Sequence, residues 1–512
     1  MSVARFAKPA VVVAAALLVA GCGGGSGTHS RQGTPSKTQP DSTTSQQPAE
    51  PPAGLGRGAS FAPRGSVLYV STTSDPSAWA ALSHVRSRIP FGDSWNETTP
   101  GNLIAELLSG HPFDISTSPI AHALTGSSSE TLVSYRGAKG LHVGLLPDVI
   151  FYSGVRDAGF LQNWLKKSSQ RIGSDGPFTL YRAKKPGIGY HAVSKSGWLF
   201  AYSLPSLRRA IASGSGQEPS LAHDPAVRSA LAAVDTRDAA LVGYTRGDLL
   251  QELTATHENL KESGDGTDTT ELTPGFGLAD TAFAIGANAS GFWLDSAPRT
   301  SMSGYRPGPT FTPTLLGEIP QNELLYVGIK NGSGQWARID NSFHTYAKAA
   351  FGSSNENSGR FIESLVSLYF RIRPSDITNL GDGEQAWYFG DTVGAAIRPA
   401  NLSQALSAAQ AMTRRTFPDS GVATGRDGDV VWLRNTRLAN QATIPGPAPS
   451  ALVLRAHLKY PISLVIAADL SPLTSALVDG SQPDGALDGV VMATAPGTDG
   501  RYQLDAYIDV RS

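Results

Sequence analysis

The segment "LGDGEQAWYFGD" places Asp382 and Glu384 just ahead of an aromatic run and Asp391 just after it. Two carboxyls bracketing aromatic rings can divide acid and base work, while the rings stack on a sugar. Asp382, Glu384 and Asp391 are therefore the candidate cleft. A charged turn at a strand end accounts for the same residues, with Trp387 and Tyr388 serving as core or cross-strand residues. A second acidic stretch, "ESGDGTDTTE", carries Asp265, Asp268 and Glu271. It lacks the ligand spacing of an EF-hand and reads as a solvated insertion.

Other chemistry finds no foothold. The chain has no Gly-x-Ser-x-Gly elbow, no GxxxxGK[ST] loop and no HExxH pair. Its 10 histidines are scattered, and His122, His142 and His191 fall in apolar or strand-like stretches that suit hydrogen-bonded structural histidines. The sequence therefore assigns no catalytic residue, no metal ligand and no cofactor. A net charge of −1 across 512 residues predicts no sequence-independent attraction to nucleic acid. With a single cysteine, an internal disulfide is impossible, and the fold must rest on burial of a chain that is 40% hydrophobic.

That one cysteine sits in a telling place. Arg5 and Lys8 precede the apolar run "PAVVVAAALLVAG", which is too short to span a bilayer and has the order of a secretory signal. Val19-Ala20-Gly21-Cys22 closes it. This quartet resembles the lipobox of bacterial lipoproteins, and the resemblance implies cleavage between Gly21 and Cys22 and a diacylglycerol thioether on Cys22. Two acyl chains would hold the mature chain on the cell membrane. It would work on the extracytoplasmic face, with the membrane as its first partner. The alternative is an ordinary signal peptide with an incidental cysteine.

Residues 22–60 form a tether rich in Gly, Ser, Thr and Pro, with too little apolar surface to order itself. A flexible chain of about 38 residues separates its ends by roughly 30–37 Å. The glycines at 54, 56 and 58 follow no strand and read as linker rather than nucleotide loop.

Beyond the tether the sequence repeats itself. "FAPRGSVLYVS" matches "EIPQNELLYVG", with Pro63 on Pro320, Tyr69 on Tyr326 and Trp79 on Trp336. "GSSSETLVSYRG" then matches "GDGEQAWYFG", and Leu161 and Leu165 match Leu402 and Leu406. "GFWLD", ending at Asp295, matches "GRYQLD", ending at Asp505. Two tandem units follow, 61–306 and 307–512, joined at a proline-rich stretch.

Strand-like runs such as "VIFYSGV" and "ALVGYT" are mixed with helices of clear origin. Asp157, Ser203 and Asp224 each stand at a helix start, and Pro205 and Pro225 sit in first turns. Gly187–Ser203 reads as a hairpin turning at Lys195-Ser196-Gly197. Hairpins without regular strand–helix alternation predict an α+β fold of mainly antiparallel sheet with packed helices.

The "P…LYV" opening, "LGDGEQAWYFG" and "GWLFAYSLPSLRRAI…DPAVRSALAAV" resemble an uncharacterised domain family of envelope proteins from GC-rich Gram-positive bacteria. That resemblance implies a location and a packing pattern, and no activity. Three functions stay open: a non-catalytic binding or structural lipoprotein, a carrier of lipid or another apolar ligand between the two units, and a wall-directed hydrolase. Candidate partners are an envelope protein, the wall, or a lipid ligand.

Overall fold

The computed structural model describes residues 56–66, 68–72, 76–87, 150–155, 157–184, 189–246, 280–299, 307–319, 323–332, 334, 374–390, 393–416, 421–435, 454, 458, 461–469 and 487–510. Gly21, Cys22, Asp391, the loop of Asp265, Asp268 and Glu271, His122, His142, Gly126–Gly137 and Trp336 lie outside the described residues. Within them, helices and antiparallel sheets mix as α+β.

In chain order the first half runs β1 (Leu68–Thr72), α1 (Pro76–Ser87), β2 (Ile150–Gly154), α2 (Ala158–Ser168), β3 (Ser169–Asp175), β4 (Phe178–Ala183), β5 (Tyr190–Val193) and β6 (Gly197–Ala201). It continues with α3 (Leu204–Gly214), α4 (Pro225–Ala232), β7 (Ala239–Thr245), β8 (Thr281–Ala287) and β9 (Gly291–Pro298). The second half runs β10 (Glu323–Lys330), α5 (Pro374–Asn379), β11 (Gly383–Gly390), β12 (Val393–Pro399), α6 (Leu402–Thr416), β13 (Val422–Asp427) and β14 (Val430–Asn435). It closes with β15 (Leu464–Asp469), β16 (Leu487–Pro496) and β17 (Tyr502–Val510).

Twelve strands form one sheet, in the order β1-β7-β8-β9-β17-β16-β15-β10-β11-β12-β14-β13. Its first eight strands are palindromic: β1-β7-β8-β9 from the first half meets β17-β16-β15-β10 from the second. The two halves are therefore not separate globules; one sheet runs through both, joined where β9 pairs with β17. A second sheet, β2-β6-β5-β4-β3, belongs to the first half. Its β2-β6-β5 order recurs as β12-β14-β13, and the β3–β4 hairpin lies beyond that common core. Tyr69 on β1 and Tyr326 on β10, matched by sequence, are both fully buried.

The helix starts follow from side-chain oxygens that accept the first free N–H groups. Asp157 accepts from Phe160 N at 2.8 Å, Ser203 from Ser206 N at 3.2 Å, and Asp224 from Ala226 N at 2.9 Å. Leu161 and Leu165, four apart on α2, bury completely against Phe151, Tyr181, Trp198 and Phe200. Burial of each is worth about 1.5–3 kcal/mol. The match of these two to Leu402 and Leu406 needs correction. On α6 the buried stripe is Ala405, Ala409 and Met412, with the two leucines on its flank. Two alanines and a methionine face the sheet, and Leu402 and Leu406 pack at the edge of the same cluster.

Helices cover both faces of the large sheet. α1 packs Ala78, Leu82 and Val85 against Leu241 and Ala287, and α6 lies on Ile397, Val431 and Leu433. On the opposite face, α4 meets β7, β8 and β9 while α3 meets the small sheet, and one apolar cluster joins them. The tether also ends earlier than its composition indicates. Arg57–Ser60 form a 3-10 turn, and Ala59 and Ala62 are fully buried in that cluster. Small side chains let this segment pack despite its linker-like makeup.

Candidate functional site

Glu384, at the start of β11, is buried, and its carboxylate is committed. It accepts from Thr314 N at 2.6 Å, Leu315 N at 3.0 Å and the Thr314 hydroxyl at 2.5 Å. Arg398, opposite it in register on β12, stands 3.8 Å away. The carboxylate thus caps the 3-10 turn Leu315–Glu318 that leads into β10. Asp382 is exposed in the turn before β11, and its carbonyl accepts from Ala400 N at 2.7 Å. The described pair of the three-carboxyl candidate therefore makes a cap and a turn, not facing acid and base. Trp387 and Tyr388 are buried on opposite faces of β11, and Tyr388 donates its hydroxyl to Leu433 O at 2.9 Å.

His191 is the one of the three histidines within the described residues. It is buried between Trp198 and Phe200, and Trp198 donates its indole N–H to Nδ1 at 3.3 Å. Burial lowers its pKa to about 3, so it is a neutral structural imidazole at physiological pH.

A different place collects polar groups around open space. Where β9 meets β17, a cavity of about 330 Å³ opens on the face that also carries α4. Its floor is set by register: Trp293 is directly opposite Tyr507, and Asp295 directly opposite Asp505. Side chains two apart on a strand share a face, so the four form a patch with an aromatic pair beside a carboxyl pair. Asp235 and Asp238, from the loop after α4, form one rim, and Leu458 of the second half forms another.

The patch is tightly positioned. Asp295 Oδ2 accepts from Asp235 N at 2.8 Å, which ties the rim to the floor. Arg237 chelates the Asp235 carboxylate, at 3.0 Å through Nε and 2.7 Å through Nη2. Tyr507 Oη bonds Ser290 Oγ and donates to Asn288 Oδ1, each at 2.8 Å, and burial raises its pKa. Two glycines make room for the rings. A β-carbon on Gly286 would lie 2.3 Å from the Trp293 ring, and one on Gly291 would lie 2.7 Å from Tyr507 Oη.

The motif reading missed this site because no part of it is a motif. Its trace was the match of "GFWLD" to "GRYQLD", which aligned Asp295 with Asp505 without indicating that they meet.

No family model and no curated protein matches the chain. Two solved structures, crystal forms I and III of TP0453, align with 47% of this chain and 78% of their own. Their identities are 9% and 7%, with TM-scores of 0.26 and 0.25. The seam's own geometry has to carry the functional reading.

Proposed function

We propose that this protein is a lipid-anchored binding protein of the cell envelope, held through Cys22 on the extracytoplasmic face, with its ligand site in the seam cavity. The observation that carries the reading is the cavity's place. It opens where the two halves share strands, and both halves supply its floor. Its volume lies at the lower end of the range typical of small-molecule sites.

The lining decides between the alternatives. A carrier of lipid or other apolar cargo suits this cavity poorly, because Asp235, Asp238, Asp295 and Asp505 line it. Apolar cargo there would strip water from these carboxyls and offer them no hydrogen bond in return. A wall hydrolase built on Asp382 and Glu384 loses its reacting group to the cap described above.

Thermal unfolding of the full mature chain in detergent, against small cationic, neutral and anionic probes, tests the reading. A probe that raises Tm in the parent and not in Leu458→Trp, which puts a large ring at the rim, supports it. No stabilisation by any probe, or equal stabilisation of both proteins, overturns it.

A further inference from the structure

We infer that the corner formed by α2 and the edge strand β3 docks on the surface of an anionic phospholipid bilayer. Phe160 and Ile172 enter the headgroup layer, and Lys166, Lys167, Arg171 and Lys184 meet the lipid phosphates. This goes beyond the seam cavity and does not depend on it; the lipid-anchored reading enters only through the direction in which the body faces.

Local rules build the corner. α2 buries Leu161 and Leu165 against the small sheet, so Phe160, Asn163 and Lys167, at helical spacing on another side, face outward. β3 follows α2 directly and is an edge strand whose residues 170–174 are all exposed. Arg171 is opposite Tyr181, which packs in the cluster under α2, so Arg171 is on α2's side of the sheet. Lys184 reaches back to the helix end and donates to Lys167 O at 2.8 Å.

Three observations point to the bilayer. Phe160 at 44% and Ile172 at 39% are the exposed large hydrophobics among the described residues, and both lie here. Apolar surface rimmed by charge marks a contact site. The second observation is charge. Residues 158–184 carry five cations and one acid, in a chain of net charge −1. Among the described residues none of the five makes an ion pair: Lys166 donates to Asn163 Oδ1 at 3.3 Å, and Lys184 to a neutral carbonyl. Cations without counter-charges beside exposed apolar side chains match an anionic lipid interface. A second copy of the chain would instead set like charges face to face. The third observation is where the tether ends. Phe61 stacks on Tyr152 at 4.7 Å and meets Phe178 edge-on at 5.9 Å, and Phe178 pairs with Asp175 at the tip of the β3–β4 hairpin. The chain coming from Cys22 therefore enters the body beside the strand that carries Arg171 and Ile172.

The test is flotation at physiological salt of the full mature chain carrying Cys22→Ser, which bears no acyl chains. The vesicles are phosphatidylcholine alone, or phosphatidylcholine with an equal share of phosphatidylglycerol. The expectation is partitioning at least tenfold stronger on the mixed vesicles. Lys166→Glu with Lys167→Glu, and Phe160→Ser with Ile172→Ser, should each lower it at least tenfold while keeping the parent's circular dichroism and Tm. Arg414→Glu with Arg426→Glu, exposed cations of α6 and β13, make the same change in net charge and should leave it within threefold. No binding to mixed vesicles, equal binding to both kinds, or binding that either corner variant leaves unchanged overturns the inference. An equal loss in the Arg414 and Arg426 control does the same, because net charge alone would then explain it. A dimer in sedimentation equilibrium that Phe160→Ser with Ile172→Ser dissociates would assign the corner to a second copy, and also overturns it. Because the tested chain bears no lipid, failure here leaves both the anchor and the seam cavity to their own tests.

Discussion

Asp295 and Asp505 are direct partners across the β9–β17 pair, and the match of "GFWLD" to "GRYQLD" aligns the same two residues. In an antiparallel pair, a two-fold axis normal to the sheet exchanges the two residues it passes between, and exchanges residues displaced equally in opposite directions from them. Equivalent residues can be opposite each other only where that axis relates equivalent chains. That exchange carries the facing pair Leu294–Ala506 onto the facing pair Leu504–Ser296. The palindromic order β1-β7-β8-β9 and β17-β16-β15-β10 extends it across eight strands. We propose that the two halves descend from one duplicated unit and that the axis relating them passes through the aspartate pair.

Glu384 should behave as a structural cap. Glu384→Ala removes three accepted hydrogen bonds and leaves Thr314 N and Leu315 N without their acceptor, a loss of about 2–3 kcal/mol. Asp382→Asn, at an exposed turn, should stay within about 0.5 kcal/mol of the parent. Chemical denaturation of both variants checks the contrast. Equal effects would return Asp382 and Glu384 to joint consideration as a pair.

The elements were legible where a local rule decided them. Asp157, Ser203 and Asp224 announced their helices because an N-cap depends on residues within one turn. The Leu161/Leu165 stripe and the hairpin around Lys195-Ser196-Gly197 were equally local. The site was not. Trp293 and Tyr507 are separated by more than two hundred residues, and only the pairing of β9 with β17 brings them together. Glu384 misled because its donors lie about seventy positions earlier in the chain, where no spacing rule reaches.

The anchor makes its own prediction. Cys22→Ser should abolish palmitate labelling and leave the precursor uncleaved, because the lipobox resemblance assigns both steps to that thiol. Gel mobility and metabolic labelling read the two effects together. Equal labelling of mutant and parent would remove the proposed anchor and leave the seam cavity unaffected.

Gly286 lies opposite Trp293 in register, and its missing side chain is the space the indole fills. Gly286→Ala should displace the ring, with an overpacking loss of about 1–3 kcal/mol. An ordinary strand position would favour alanine over glycine, so the sign is diagnostic. Near-ultraviolet circular dichroism should change in the tryptophan bands. Unchanged bands with higher stability would show that the ring does not depend on Gly286.

His191 gives the pH dependence. Its pKa is about 3 in the folded protein against 6.5 for an exposed histidine, because burial penalises the charged ring. Above pH 6.5 the side chain is neutral in both states and contributes no slope. As pH falls from 6.5 toward 3, the unfolded chain takes up a proton that the folded chain refuses, so stability declines. The decline approaches about 1.4 kcal/mol per pH unit and ends once the folded state also titrates. His191→Gln cannot protonate and can keep an acceptor for the Trp198 indole. Its urea midpoint between pH 6 and pH 4.5 should therefore fall less steeply than the parent's, by the slope of one proton. Parallel curves for the two proteins would mean that His191 is charged in the folded state, against its burial between Trp198 and Phe200.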